Sequence, residues 1–246
     1  MESYLEKLDA ELSSMPGYKK PENVKTKKES LKSRTDPECG YIHQARKKGL
    51  GYLTEMTVDT SHGIITGVDC YPANQRESDI ILNHLKGQFC EYQEIGLDGG
   101  DDIGAVHRGL ELLGINGYTA IREYPNNAMK KGFCYDAEKD CFVCMQGKNL
   151  EFQKLIYKRT TKNDYRLYSR SKKQCKNCPN FGTCATDLGS VRINASAYYS
   201  SFYRNNQKVG TNDYLRVMRL RQIWAEGTFA VLKREYKLNK IQKRGI

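Results

Sequence analysis

The sequence holds one Trp, four His and six Pro in 246 residues, and it has no long apolar run. No stretch approaches the roughly 20 apolar residues that cross a bilayer, which excludes a membrane-spanning helix. The opening residues, MESYLEKLDAELSS, are polar and charged, so they do not read as a secretory leader. The expectation is a soluble, cytoplasmic protein. Histidine is too sparse to build a site: none of His43, His62, His84 and His107 has a partner at ligand spacing. Each reads as a surface or core histidine. Acid is also in deficit, with 29 Asp and Glu against 40 Lys and Arg, a formal charge of +11.

Such an excess suits a polyanionic partner, because neutralising phosphates releases counterions. Its distribution sharpens the inference. Residues 154–176 carry nine Lys or Arg and one acid, Asp164, interleaved with Tyr157, Tyr165 and Tyr168. Residues 204–246 carry eleven Lys or Arg and three acids. Concentrated basic blocks with aromatics between them favour nucleic acid over an evenly charged surface.

Hydrophobic periodicity outlines an α/β chain. Leu5, Leu8 and Leu12 give residues 1–16 one helical face. Residues 17–38 are Lys-rich, contain Pro21 and Pro37, and read as an exposed linker. Residues 52–71 alternate as a hairpin turning at Ser61-His62-Gly63, and Ser78 is the expected cap of a following helix. A strand over 92–100, a helix over 105–113 closed by Gly114, and a strand over 118–121 follow. The texture breaks over 123–200, which holds short strand-like runs and most of the Cys; a long helix is expected over 212–238.

Two carboxylates attract attention. Asp98 in GLDGG ends an apolar strand, where α/β sheets place their sites, and the glycines after it allow a sharp turn. The loop does not have GxGxxG spacing, and Asp98, Asp101 and Asp102 would repel a pyrophosphate. Asp101 and Asp102 themselves read best as caps of the next helix. On the long helix, Arg219, Glu226 and Lys233 recur at seven-residue spacing and so share a face. By spacing alone, an ordinary solvated face accounts for Glu226 better than ligation does.

The nine Cys are an odd number without a secretory leader, which speaks against a disulfide framework. Cys175-x2-Cys178-x5-Cys184 lies downstream of Cys141-x2-Cys144, a spacing near that of a zinc ribbon but wider than usual. Zinc is somewhat favoured over buried, unliganded thiols. Cys39, Cys70, Cys90 and Cys134 stand apart and read as packing residues.

Taken in order, DPECGYIHQARKKGLGYLTEMTVDTSHGIITGVDCYPANQRESD, GLDGG, FVCMQGK, CKNCPNFGTC and IWAEGTFAVLKREYKL resemble bacterial insertion-sequence DDE transposases. The branch is the one with a Cys-containing insert between the second Asp and the Glu. The resemblance implies a ribonuclease H-like mixed sheet with flanking helices, with 39–122 and 212–246 as the catalytic part and 123–211 as a basic Cys-containing insertion. Residues 1–38 would be a helix and linker. It implies Mg²⁺ or Mn²⁺ held by Asp98 and Glu226 for DNA cleavage and strand transfer at transposon ends and target DNA.

By the same resemblance Lys233 touches DNA, and Cys144, Cys175, Cys178 and Cys184 are the insert's cysteines, a possible structural zinc set. Arg219, Arg221, Lys172 and Lys173 join Lys233 as expected DNA contacts. The chain departs from the pattern at Asp101, where relatives have Tyr, and at Met218 and Arg221 ahead of the glutamate. The strand bearing the family's first Asp would precede the linker, and Asp59 and Asp69 do not match it. The expectation is therefore a chain truncated at both ends and inactive by itself. The alternatives are a non-catalytic DNA-binding remnant and, further off, a zinc-ribbon interaction protein. Double-stranded DNA is the expected partner, no membrane is, and a homodimer is left open.

Overall fold

The computed structural model describes residues 4–15, 18, 31–44, 47–88, 91–121, 132–158, 163–181, 183–184, 191–238 and 240. Helix α1 (Tyr4–Ser13) forms where the leucine spacing demands it, and Leu8 and Leu12, one turn apart, are both buried. The linker expected over 17–38 lies mostly outside the described residues. Its last part, 31–38, carries no helix or strand, and there Asp36 is buried and accepts a 2.6 Å hydrogen bond from the Tyr52 hydroxyl.

Strands β1 (Gly40–Gln44), β2 (Lys47–Val58) and β3 (Ile65–Pro72) form an antiparallel sheet in that order. The hairpin is the expected one, and β1 adds to it a strand that the alternation did not reveal. At the turn, Asp59 accepts hydrogen bonds from the backbone N–H groups of Ser61 and His62. Gly63 there has φ +69°, and a Cβ on it would lie 2.2 Å from the Trp224 ring, so only glycine fits beneath that indole. The single Trp thereby joins the hairpin to the C-terminal helix.

Helix α2 (Glu77–Gly87) buries Ile80, Ile81, Leu82, His84 and Leu85. Its cap position is Arg76, with no side-chain cap, so Ser78 lies inside the first turn and does not start the helix. Strands β4 (Glu94–Leu97) and β5 (Asn116–Thr119) pair in parallel through helix α3 (Gly104–Leu113). Val106 and Leu110 face the core, and Gly114 closes the helix in the left-handed region, as its place in the sequence requires.

A second antiparallel sheet follows, in the order β10-β9-β8-β7-β6. Its strands are β6 (Cys134–Asp136), β7 (Cys141–Val143), β8 (Asn149–Lys158), β9 (Asn163–Arg170) and β10 (Val191–Ser196). The short helix α4 (Lys172–Cys175) follows β9, and α5 (Tyr199–Asn206) follows β10. The long C-terminal helix is present as α6 (Asn212–Arg221), a π turn (Gln222–Glu226) and α7 (Gly227–Arg234).

Two apolar cores result. One gathers α1, α2, α3 and Leu97 of β4 with Leu155, Ala197 and Tyr198. The other is aromatic, with Phe133, Tyr135, Phe142, Tyr168 and Tyr199 at its centre. Phe152 packs against both, so the Cys-containing region is anchored on the rest of the chain. The mixed α/β character is as expected. The strands of the first half do not form one sheet, however: among the described residues β1–β3 and β4–β5 are separate, with no strand bridging them.

Candidate functional site

The site grows from the C-terminal end of β4. Asp98 leaves the strand in an extended conformation and caps a 3₁₀ turn (Gly99–Asp101) by accepting a hydrogen bond from Gly100 N–H. Its carboxylate is exposed. The two following aspartates are not the helix caps that the sequence implied. Ile103 holds the cap position of α3 and makes no side-chain cap. Asp102 is buried and turns inward to His107, 2.9 Å from its Nε2. Asp101 is 8 % exposed, and its Oδ1 is buried with no hydrogen-bond partner.

Sequence reasoning missed the company that Asp101 keeps. Glu77 from the first turn of α2 comes up beside Asp98 at Gly100, and Glu55 of β2 lies near enough to feel the charges of Asp101, Glu77 and Asp98. A methyl group added at Gly100 would stand 2.8 Å from Asp98 Oδ1 and 3.1 Å from Glu77 Oε2, so these oxygens face one small space. Burial, with Asp98 and Glu77 beside it, pushes Asp101 up to about 7, against a smaller opposing pull from Arg221. Burial, with Asp101, Glu77, Asp98 and Asp69 nearby, pushes Glu55 up to about 8. Asp69 sits directly across from Glu55 in the β2–β3 register. That pairing of like charges in an alternating hairpin was the one sequence signal available.

Helix α6 crosses β4 close to Asp98. A Cβ on Gly96 would lie 3.0 Å from Val217 Cγ1 and 3.2 Å from Arg221 Cβ, so the small residue permits the approach. Arg221 is 19 % exposed and donates to Glu226 at 2.6 Å. The two are five residues apart. On a regular α-helix, at about 100° per residue, such positions point in different directions. The π turn closes that angle and brings them together. The partner of Glu226 is thus Arg221, and the seven-residue stripe with Arg219 and Lys233 is not a set of contacts. Arg221 links the neighbourhoods of the two expected carboxylates, acting on Asp101 on one side and bonded to Glu226 on the other.

The remaining expected cations are at the surface. Arg219, Lys172 and Lys173 are exposed, as is Lys233, whose Nζ lies 5.3 Å from the centre of the Phe229 ring. Lys172 and Lys173 ride on α4, which Ser171 and Gln174 start with a reciprocal capping box. The insert's cysteines converge: Cys144, Cys175 and Cys184 pack on the aromatic core. Burial pushes the Cys184 thiol up, and Cys178, Cys175 and Cys144 act on it in the same direction. Among the described residues, no three Cys, His, Asp or Glu side chains are grouped tightly enough to hold a metal ion. The donors nevertheless suit metals: hard carboxylate oxygens, one of them buried and unpartnered, at one place, and four thiols at another.

One family model, described as the transposase DDE domain, matches residues 143–246. Over that stretch, the chain is similar to the DDE transposases. The matched segment contains Glu226, Lys233, Arg219, Arg221, Lys172, Lys173 and the four insert cysteines; Asp98 lies upstream of it. No curated protein and no solved structure matches the chain. No helix among the described residues is long and apolar enough to cross a membrane.

Proposed function

We propose that this chain serves DNA transposition as part of a ribonuclease H-like catalytic domain, with Asp98 and Glu226 as ligands of Mg²⁺ or Mn²⁺. The observation that carries this reading is the family match across the helix bearing Glu226, joined to the position of Arg221 between Glu226 and the Asp98 turn. A divalent ion there supplies charge neutralisation at a phosphodiester and acidifies water. The chain's own residues hold and orient. The Gly96–Val217 contact fixes α6 over β4. Arg221 holds the Glu226 carboxylate in one direction. Arg219, Lys233, Lys172 and Lys173 are exposed cations available to phosphates. Cys144, Cys175, Cys178 and Cys184 would hold zinc and pin the β7–β8 turn to α4 and the loop after it.

The test uses the purified chain, labelled transposon-end DNA, and Mg²⁺ or Mn²⁺. The chain alone is expected to bind Mn²⁺ without cutting DNA, and Mn²⁺ binding weakened in both Asp98→Ala and Glu226→Ala supports the reading. Mn²⁺ binding that survives both changes overturns the assignment.

A second reading has its own support. Glu226 is already satisfied by Arg221, as a carboxylate in a purely structural ion pair would be. On that reading the chain binds DNA through its basic blocks without cutting it. Salt-dependent DNA binding with Mn²⁺ affinity unchanged in Asp98→Ala and Glu226→Ala selects this alternative.

A further inference from the structure

A β-bulge divides the basic block of 154–176 between the two faces of the second sheet. Along β8, Leu150 and Phe152 point inward to the apolar cores. Strict alternation would send Lys154 inward after them and Leu155 out to water. The register shifts between Phe152 and Lys154, where one extra residue, Gln153, stands against β9. Such a bulge re-aims the side chains that follow it. Leu155 is buried as a result, and Lys154 is exposed on the outer face. The pairing puts Lys158 on that face too, with its Nζ 4.5 Å from the centre of the Tyr165 ring. Arg192 of β10 is also there, and exposed. Cations of the block that face inward are taken up by the fold: Arg166 pairs with Asp140, and Arg170 donates to the Asn149 carbonyl at 3.1 Å. On the outer face, Lys154, Lys158 and Arg192 have no ion pair among the described residues. Glu151, in the row of Ser169 and Arg192, is the one carboxylate among the described residues of that face.

We propose that this outer face of β8, β9 and β10 docks on the phosphate backbone of double-stranded DNA, with Lys154, Lys158 and Arg192 as its contacts. The proposal rests on the reading that the chain serves DNA transposition, and it adds a surface apart from the cations of α4 and the C-terminal helix. Charge complementarity selects the partner, since three unpaired cations outweigh one carboxylate. Their spacing selects an extended one. Lys154 and Lys158 are four residues apart on one strand, about 13 Å, and Arg192 lies two strands over, about 10 Å across the sheet. Cations so placed on an open face reach several phosphates and cannot close on one small anion. The Tyr165 ring holds the Lys158 ammonium in place. Asn194, exposed on the same face, adds a neutral donor. Contacts of this kind position a duplex and carry no sequence preference.

The experiment titrates a short fluorescent DNA duplex with the full chain across a salt series, reading anisotropy. Lys154→Gln, Lys158→Gln, Arg192→Gln and the triple variant are compared with the parent. Glu151→Gln removes the opposing charge, and Lys32→Gln removes an exposed cation outside this sheet. Each single change on the face should weaken binding by roughly three- to tenfold and lower the salt slope by about one, and the triple change by roughly thirtyfold or more. Glu151→Gln should tighten binding, and Lys32→Gln should leave it nearly unchanged. Melting temperatures should match the parent's, because none of these side chains is buried. Affinity kept by the triple variant, or lost equally in Lys32→Gln, overturns the face. A loss confined to duplex RNA of the same sequence overturns the choice of DNA. A parent without DNA affinity also overturns the face, while the Asp98–Glu226 pair stands or falls by its own Mn²⁺ titration.

Discussion

Arg221 and Glu226 lie five residues apart on one helix and are joined at 2.6 Å, a contact made possible by the π turn between them. A π turn costs hydrogen-bond geometry and is retained where it places a side chain usefully. Here it turns Glu226, in the segment similar to transposases, toward the arginine that also acts on Asp101. Replacing Arg221 with Gln removes the charge and frees Glu226. The pair is half exposed on the glutamate side, so the loss of stability should stay below about 1 kcal/mol. The loss of Mn²⁺ affinity should be larger than that if Arg221 positions Glu226. Urea unfolding and a Mn²⁺ titration on the same preparation separate the two effects.

The carboxylate cluster makes metal-free stability depend on pH. Glu55 and Asp101 have folded pKa values of about 8 and about 7, above those of unfolded carboxyl groups. Between pH ~4 and ~8 the folded chain therefore holds more protons than the unfolded one. Stability should fall as pH rises through that window, with Asp98, Glu77 and Asp69 opposing ionisation and Arg221 favouring it only at Asp101. Melting curves in chelator at pH 5.5 and 8.5 test this. Glu55→Gln should flatten the difference and stabilise the chain at pH 8.5 by on the order of 1 kcal/mol. A melting temperature that rises with pH would contradict the assignment.

Asp140 closes a network at the edge of the aromatic core. Its Oδ1 accepts from the hydroxyls of Tyr135 at 2.7 Å and Tyr168 at 2.6 Å, and its Oδ2 from Arg166. Its backbone has φ +46°, a conformation that Asp and Asn tolerate better than most residues. Asp140→Ala would remove the shared acceptor of two hydroxyls and a guanidinium; with the carboxylate 40 % exposed, the cost should be about 1–2 kcal/mol. Asp140→Asn should cost less, because it keeps the turn and one acceptor oxygen. Denaturant midpoints of the two variants give the ranking directly.

Zinc in the Cys-containing region is open to a direct measurement. A chain purified without chelator should carry a single tetrahedral zinc, and Cys178→Ser should lose it while retaining β4, α2 and α3. Elemental analysis reads the metal, and amide exchange reads which sheet loosens. Zinc-free protein with an unchanged exchange pattern in Cys178→Ser would remove the ion from this region.

Local structure was legible wherever a short window carries its own instruction. The leucine spacing of α1, the alternation of β2 and β3, the Gly114 stop and the long C-terminal helix all follow from 2.0 or 3.6 periodicity and turn chemistry. Asp98 at a strand end and the clustered cysteines were visible for the same reason. Other features were not: β1 is short and polar, Ser78 does not cap, and Asp101 and Asp102 turn inward to a core that no local window contains.

By itself, the order of residues determined the charge, the α/β succession of elements and the transposase resemblance of the Cys-containing half, because each is read along the chain. Only tertiary packing decided that Glu55, Glu77 and Asp101 should gather beside Asp98, and that Arg221 should take Glu226 from its expected stripe. Those meetings join residues far apart in sequence, or hang on one extra residue in a helical turn. Their energy comes from burial and charge in three dimensions, which linear spacing does not express.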